Sequence, residues 1–322
     1  MQFPKILVLL VNWNGKKDTL ECLSSLEKAL PSPSFATLVV DNGSTDDSVS
    51  AIRAAFPSIP LLETNENLGF AGGNNAGIRW ALTKSFEWIL LLNNDTVVAP
   101  DFLSGSMKAA KEKPSGKIFG LKTFCYRERD RLDHWGADWD PKSAQFLSFA
   151  LGKTDDGSFN EMRRCDMVSG SALLMHSSVP ETIGLLDERF FLLWEEADFC
   201  TRAKKAGFEI WTAPQGVLWH KGASSFVGGK PHQHYFWWRN RLLWISLHTS
   251  PQEKRRLYEK ILLAEIARCA KYFVLKNIRN ALARIVGRPT NPKARRYAAG
   301  CRGIVDYFLG RFGNSPSGLN RR

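Results

Sequence analysis

The sequence predicts an α/β protein: a Rossmann-like mixed, mostly parallel sheet flanked by helices, followed by a basic helical extension. Three observations carry this. Four apolar runs of strand length, "KILVLLVNW" (5–13), "ATLVVDNGS" (36–44), "PLLETN" (60–65) and "FEWILLLNNDT" (86–96), each run into Asn or Asp, as strands buried on both faces do when they surface. Helix-length segments separate them at 16–30, 46–56 and 73–84, which gives a β-α-β-α-β-α-β order with short connections. In such sheets ligands bind beyond the carboxyl ends of the strands. Asn12, Asp41, Asn65, Asn67 and Asp95 all fall there, so one rim is expected to gather the polar chemistry.

Residues 115–165 are less periodic, with Gly, Asp and Trp in "LDHWGADWDPKSAQF", and read as loops and short antiparallel strands. Strand, loop-helix and strand follow in "MVSGSALLMHSSV", "IGLLDERFFLLWEEADFCTRAKKAGFEIWTAP" and "GVLWHKGASS". Gly228-Gly229 and Pro231 signal a linker, which divides the chain into 1–228 and an aromatic-rich, basic helical extension, 229–322. Within the extension, "SPQE" starts a helix. Ser250 is placed as N-cap, Pro251 at the first helical position, and Glu253 completes a capping box; Gly287 and Pro289 mark the far end.

A chain of 322 residues with 44% hydrophobic content can bury a substantial core. It contains no apolar run of the roughly 20 residues a membrane span needs, and its first strand turns polar too early for a signal peptide, so a cytoplasmic location is expected. Six cysteines without a C-x-x-C pair argue for reduced thiols. The net charge of +12 is unevenly placed: residues 231–322 hold 19 of the 44 Lys and Arg but 4 of the 32 Asp and Glu, a local excess of +15. Such a segment suits nucleic acid or an anionic membrane. No helix-turn-helix, zinc-finger or RNP signature accompanies it; the segment either meets a membrane surface, with Trp237, Trp238 and Trp244 as interfacial residues, or packs on the domain and solvates its own charge.

Several motifs carry chemistry. In "VVDNGSTDDS" a carboxylate, Asp41, ends a buried strand, where it can accept the ring N–H of a uracil or thymine; a helix cap is the plainer role. "NENLGFAGGNNAG" sets four glycines ahead of a helix and offers backbone N–H groups to phosphates, or is an ordinary glycine-rich turn. "LLLNNDTVV" places Asp95 beside two amides, like a D-x-D metal site with an acid replaced; such oxygens suit Mg²⁺ or Mn²⁺ bridged to a diphosphate. One carboxylate needs a companion, and His220, closing "GVLWH", is a candidate because imidazole is acceptable to Mn²⁺. "FFLLWEEADFC" runs five apolar residues into Glu195, Glu196 and Asp198. The acids either complement a helix start or deliver a general base to a cleft.

Taken in order, "VVDNGSTDDS", "NLGFAGGNNAG", "LLNNDT", "SGSALLM", "GLLDERFFLLWEEADFCTRAKKAG" and "WHKGASS" resemble the inverting glycosyltransferases of family 2, with the GT-A fold, over roughly the first 245 residues. They are most similar to the bacterial rhamnosyltransferase-like members and more distantly to galactofuranosyltransferases. The resemblance implies an enzyme that moves a sugar, L-rhamnose from dTDP-rhamnose, to a glycan or polyprenyl-diphosphate-linked acceptor in cell-surface polysaccharide synthesis. A galactofuranosyl or other hexosyl transferase using a UDP-sugar, or a non-catalytic nucleotide-sugar binder, is the alternative. Carried over by position, Glu196 is the catalytic base in the place of an aspartate, with Glu195 and Asp198 beside it. Asn12, Asp41, Asn67, Gly69, Asn75, Asn94 and Asp95 bind the nucleotide sugar, and Asp95 and His220 hold the divalent metal. Asn74 stands where many relatives carry a phosphate-binding arginine, and Arg239 or Arg241 is the expected substitute. The extension resembles membrane-associating tails of the family, which implies a peripheral place on the cytosolic face of the inner membrane.

Overall fold

The structure, a computed structural model, describes residues 5–222, 231–285, 289 and 294–316. The linker signal at Gly228-Gly229, the end of "WHKGASS" and the expected helix end at Gly287 lie outside the described residues. The described chain forms two compact units. One comprises segments of 1–138, 146–188 and 196–223; the other gathers 139–145, 189–195 and residues from 224 onward.

The first unit begins β1 (Ile6–Asn12), α1 (Lys16–Glu27), β2 (Phe35–Asp41), α2 (Ser48–Ala55), β3 (Leu61–Glu63), α3 (Gly69–Thr83), β4 (Trp88–Asn93) and β5 (Thr96–Val98). It continues through α4 (Phe102–Glu112), β6 (Gly116–Cys125) and β7 (Leu132–His134). A two-stranded hairpin, β8 (Ala137–Asp140) and β9 (Gln145–Ser148), has its tip in the second unit. Then come β10 (Ala172–His176), α5 (Ser178–Ile183), α6 (Glu195–Lys205) and β11 (Glu209–His220). The main sheet runs β3-β2-β1-β4-β10-β6-β11-β5, with β7 paired to β6. Strands β3, β2, β1 and β4 are parallel, and β10 is antiparallel to both its neighbours. The expected mixed, mostly parallel sheet is therefore present.

Alternation explains how one apolar run serves both faces. Along β1, Ile6, Val8 and Leu10 enter a core shared with Leu23 of α1 and Phe102 of α4; Leu7 and Leu9 enter another with Ile78 of α3 and Phe199 of α6. Strand β6 departs from the sequence reading, which placed only loops and short strands in this region. Its ten residues are central and almost wholly buried. Lys122 interrupts its apolar pattern, and that lysine is itself buried against Asp155 at 2.8 Å.

The glycine-rich segment also differs from expectation. Helix α3 starts at Gly69, so Gly72, Gly73 and Gly77 lie inside it rather than in a loop ahead of it. The reason is close packing on the sheet: a Cβ at residue 77 would lie 2.3 Å from Leu9 Cδ1, and one at residue 73 would lie 2.8 Å from Val11 Cγ1. Alanine is intrinsically preferred over glycine in a helix by about 1 kcal/mol. Overpacking a rigid core costs about 1–3 kcal/mol, which is why glycine is retained.

The second unit is built on α7 (Pro231–His248), α8 (Pro251–Leu257), a π-helical turn (Tyr258–Leu262), α9 (Leu263–Ile285) and α10 (Ala294–Phe308). Ser250 caps α8 as expected, its hydroxyl accepting from the Glu253 N–H. The tryptophans expected at an interface pack inward instead. Trp244 is 4% exposed and lies against Trp139 and Trp194, Trp237 meets Trp194 edge-on, and the Arg241 guanidinium sits over Trp238. Exposed apolar surface lies elsewhere: Leu275, Ile278, Leu282 and Ile285 form a stripe along α9, beside exposed Lys271, Arg279 and Arg284.

Candidate active site

The rim of the first unit forms where strands run out. Asn12 ends β1, Asp41 ends β2 and Asn93 ends β4, and the parallel register sets Asn12 beside Asp41. Asn12 is fully buried and bridges the neighbours: its Nδ2 donates to Asp41 Oδ1 at 2.8 Å and to Ser44 Oγ, while its Oδ1 accepts from Thr19. Asn94 donates to Thr19 Oγ1 at 2.8 Å and approaches Asn12 Oδ1 at 3.4 Å. Asp41 also accepts the Ser44 N–H at 3.0 Å, closing its own turn. The helix-cap role weighed for Asp41 is not the one seen, since α2 starts at Ser48 with Asp47 at its N-cap; each oxygen of the Asp41 carboxylate has a second acceptor direction.

Beyond this network lies a run of charge. His220, the last residue of β11, places Nε2 3.1 Å from Asp95 Oδ1 and Nδ1 2.7 Å from Asp133 Oδ2. Asn93 Nδ2 lies 3.3 Å from the same Nε2. Gly222 is required here, since a Cβ at that residue would sit 2.2 Å from His220 Cε1. Burial alone would lower the His220 pKa, but hydrogen bonds and charge from Asp133 and Asp95 outweigh it and raise the pKa to about 10. Burial pushes the Asp95 carboxyl up, and the His220 interaction more than offsets that. Sequence reasoning missed Asp133, which sits in the poorly periodic middle of the chain. It also missed Lys221, whose amine lies between Asp18 and Glu21 at 2.7 and 2.6 Å and whose N–H donates to Asp95 O.

One carboxylate oxygen and one imidazole nitrogen facing each other form a donor set that fits Mn²⁺, and Mg²⁺ less well on the nitrogen side. Among the described residues no group of three or more His, Cys, Asp or Glu could hold a metal ion. A cation held by Asp95 and His220 would have two protein ligands and would take its other oxygens from substrate or solvent, as Mg²⁺ usually does at phosphates.

The remaining expected residues divide. Asn67 Oδ1 accepts the Gly69 N–H at 2.9 Å, and Asn42 ties the same turn by donating to Gly69 O and accepting the Leu68 N–H, so Asn67 and Gly69 stay beside the end of β2. Asn75 is corrected: it is buried inside α3, donates to Leu186 O and Glu188 and accepts the Leu186 N–H, which makes it a pin for that segment rather than a nucleotide ligand. Asn74 donates to Phe70 O within the helix.

The three acids following Trp194 also separate. Asp198 is 2% exposed and bonded to Arg202 at 2.8 Å, which further donates to Ile183 O and Leu185 O; this acid holds structure. Glu195 is 3% exposed, and Glu196 is half-buried. Glu196 lies over the Ser169–Ser171 turn, its Cβ 3.8 Å from where a Cβ on Gly170 would be, and Ser171 O accepts the Asn93 N–H. The half-buried acid of the three is thereby brought close to the end of β4.

Arg239 and Arg241 are corrected too. Each is no more than 1% exposed, and both belong to the second unit. Arg239 donates to the carbonyls of Arg189, Phe190 and Gly313, and Arg241 to those of Ser143 and Ala144 and to Glu265. Neither guanidinium is available to a diphosphate. Arg239, with Asn240 bonded to Phe190 O, Leu192 O and Leu193 O, holds a segment in which Phe191, Leu193 and Trp194 all have positive φ. Each such residue costs about 1–3 kcal/mol and persists only where its surroundings impose it.

The charge state of His220 sets a pH dependence. Its folded pKa, about 10, exceeds the ordinary value of 6.5, so its stabilising contribution is complete below that ordinary value and is lost as pH rises through 10. Melting in EDTA from pH 6.5 to 10 is expected to show the wild type losing its advantage over His220→Gln. A difference constant with pH would contradict the clamped imidazolium.

Known proteins resemble this chain in sequence and in fold. Residues 7–170 match the sequence model of the family described as Glycosyl transferase family 2. The low-salt glycan biosynthesis hexosyltransferase Agl10 of Haloferax volcanii is 27% identical over 206 residues, 63% of this chain and 62% of that protein, so the match spans under two thirds of its length. The N-acetylglucosaminyl-diphospho-decaprenol L-rhamnosyltransferase of Mycobacterium tuberculosis is 26% identical over 266 residues, 68% of this chain and 84% of that protein. The dTDP-rhamnosyl transferase RfbF of Shigella flexneri is 22% identical over 217 residues, 67% and 68% respectively. Among solved structures, the mannosyltransferase PcManGT from Pyrobaculum calidifontis, in complex with GDP-Man and Mn²⁺, superposes with a TM-score of 0.57 at 16% identity, covering 96% of this chain and 88% of that one, a likeness of fold. The expected GT-A fold is thus found, and with just over half of its residues matched, this chain belongs to glycosyltransferase family 2, where its relatives include rhamnosyltransferases.

Proposed function

We propose that the protein is an inverting glycosyltransferase that moves L-rhamnose from dTDP-rhamnose to a glycan or polyprenyl-diphosphate-linked acceptor. The observation that carries the reading is the gathering of Asp41, the Asp95–His220 pair and the Glu196 turn at one rim of one unit. Two relatives named for rhamnosyl transfer, one of them for a decaprenyl-diphosphate acceptor, support the substrates.

In this reading Asp41, oriented by Asn12 and the Ser44 N–H, accepts the ring N–H of the base. Asp95 and His220 would hold Mg²⁺ or Mn²⁺, which when bound supplies positive charge to the departing nucleoside diphosphate. Glu196 takes the proton of the acceptor hydroxyl as its oxygen bonds to the anomeric carbon. The bond from that carbon to the diphosphate oxygen breaks on the opposite face, and the centre inverts. Glu196 is assigned over its neighbours because Asp198 is paired with Arg202 and Glu195 is almost wholly buried.

The second unit supports a peripheral membrane role. No helix among the described residues is long and apolar enough to cross a membrane. The apolar stripe of α9, flanked by Lys271, Arg279 and Arg284, suits an anionic surface, where each basic residue contributes about 1 kcal/mol.

Two outcomes test these assignments. Positioned general bases contribute about 10²–10⁴ in rate, so Glu196→Gln is expected to lower kcat by that factor while leaving dTDP-rhamnose affinity within about twofold. Normal turnover in the variant would remove the base assignment, and release from UDP- or GDP-sugars in place of dTDP-rhamnose would remove the donor. In co-sedimentation with vesicles containing anionic lipid, the protein is expected to bind, and Ile278→Glu with Leu282→Glu to stay in the supernatant; equal binding by both would place the contact elsewhere.

A further inference from the structure

Asp133 lies on β7 and meets the side of the His220 ring turned away from Asp95, with Oδ2 2.7 Å from Nδ1. The two ring nitrogens point in different directions, so Asp133 cannot share a cation with Asp95 at Nε2. It can act there only through the ring. We propose that Asp133 is a positioning residue that makes His220 a metal ligand strong enough to complete a site having a single carboxylate. This rests on the metal-assisted reading proposed above.

Three features of the chain support it. An Nδ1–H donated to Asp133 assigns the remaining nitrogen, Nε2, to the Asp95 side and fixes the plane of the ring. A carboxylate on the far nitrogen raises the basicity of the near one. The "NND" triplet at 93–95 supplies one negative charge, and Asp133 adds a second without taking a coordination position.

Asp133 is also built to stay in place. Its neighbour Leu132 is fully buried among Phe124, Trp135 and Ala150. Strand β7 pairs with β6 through His134↔Thr123 and Leu132↔Phe124, and β6 pairs with β11 through Cys125↔His220. The carboxylate therefore reaches its imidazole across two ladders of one sheet, while Gly222 leaves space for the ring.

The experiment is a Mn²⁺ titration followed by EPR, with dTDP present, on wild type, Asp133→Asn, Asp133→Glu and His220→Ala. Melting and dTDP affinity are measured in EDTA for each. Loss of a partner of this kind weakens metal binding about 10–100-fold. Asp133→Asn is expected to weaken Mn²⁺ by that factor and Asp133→Glu by less, with dTDP affinity in EDTA unchanged; a cooperative melt in either variant suffices for the comparison. Wild-type Mn²⁺ affinity in a folded Asp133 variant would overturn the proposal. So would His220→Ala binding Mn²⁺ as the wild type does, absence of Mn²⁺ binding by the wild type, or an equal loss of dTDP affinity in EDTA. Because no sugar is transferred in these titrations, a wrong sugar or a wrong base leaves their outcome unchanged.

Discussion

An imidazole held between two carboxylates organises the rim. Asp95 comes from the turn between β4 and β5, Asp133 from β7 and His220 from the end of β11, residues far apart in sequence that meet only when the sheet is complete. At an effective dielectric of about 20, opposite charges 4 Å apart attract by about 4 kcal/mol, and two such partners outweigh the burial that would otherwise keep the ring neutral. The ring also separates two carboxylates that would repel each other. In the proposed reading a divalent cation at Nε2 would take the place of one proton there; without it, the imidazolium balances the charges of the rim.

The rest of the first unit serves to hold that arrangement in register. Parallel pairing of β1 with β2 and β4 aligns the strand ends, and the fully buried Asn12 joins Asp41 to Ser44 and Thr19. Glycines inside α3 allow the helix to lie directly on β1, which brings the Asn67–Gly69 turn beside the end of β2. In the second unit, Arg239 and Asn240 perform a comparable service for residues 189–194, holding a backbone that local preference would not adopt.

What the sequence revealed followed from pattern. Apolar runs ending in Asn or Asp located β1, β2 and β4 and the rim, and the "SPQE" box located the start of α8. What it concealed followed from interactions distant in sequence. Strand β6 was hidden because buried Lys122 breaks its apolar run and is balanced by Asp155, 33 residues away. The helical glycines look like a phosphate loop until the strand beneath them is known. Arg239 and Arg241 read as free cations because the carbonyls they serve belong to segments 49–98 residues distant. Asp133 had no signal of its own, since a lone aspartate in an irregular stretch acquires meaning only from the histidine it faces.

In the proposed reading, Asp95 and His220 Nε2 hold the cation that meets the diphosphate, with Asp133 on the opposite ring nitrogen. The most direct measurement is anomalous scattering from crystals of the protein grown with Mn²⁺ and dTDP. One strong peak is expected at coordinating distance from Asp95 and from His220 Nε2, with Asp133 still on Nδ1 and the dTDP phosphates completing the shell. A peak away from this pair, or a ring turned so that Nδ1 faces the metal, would contradict it.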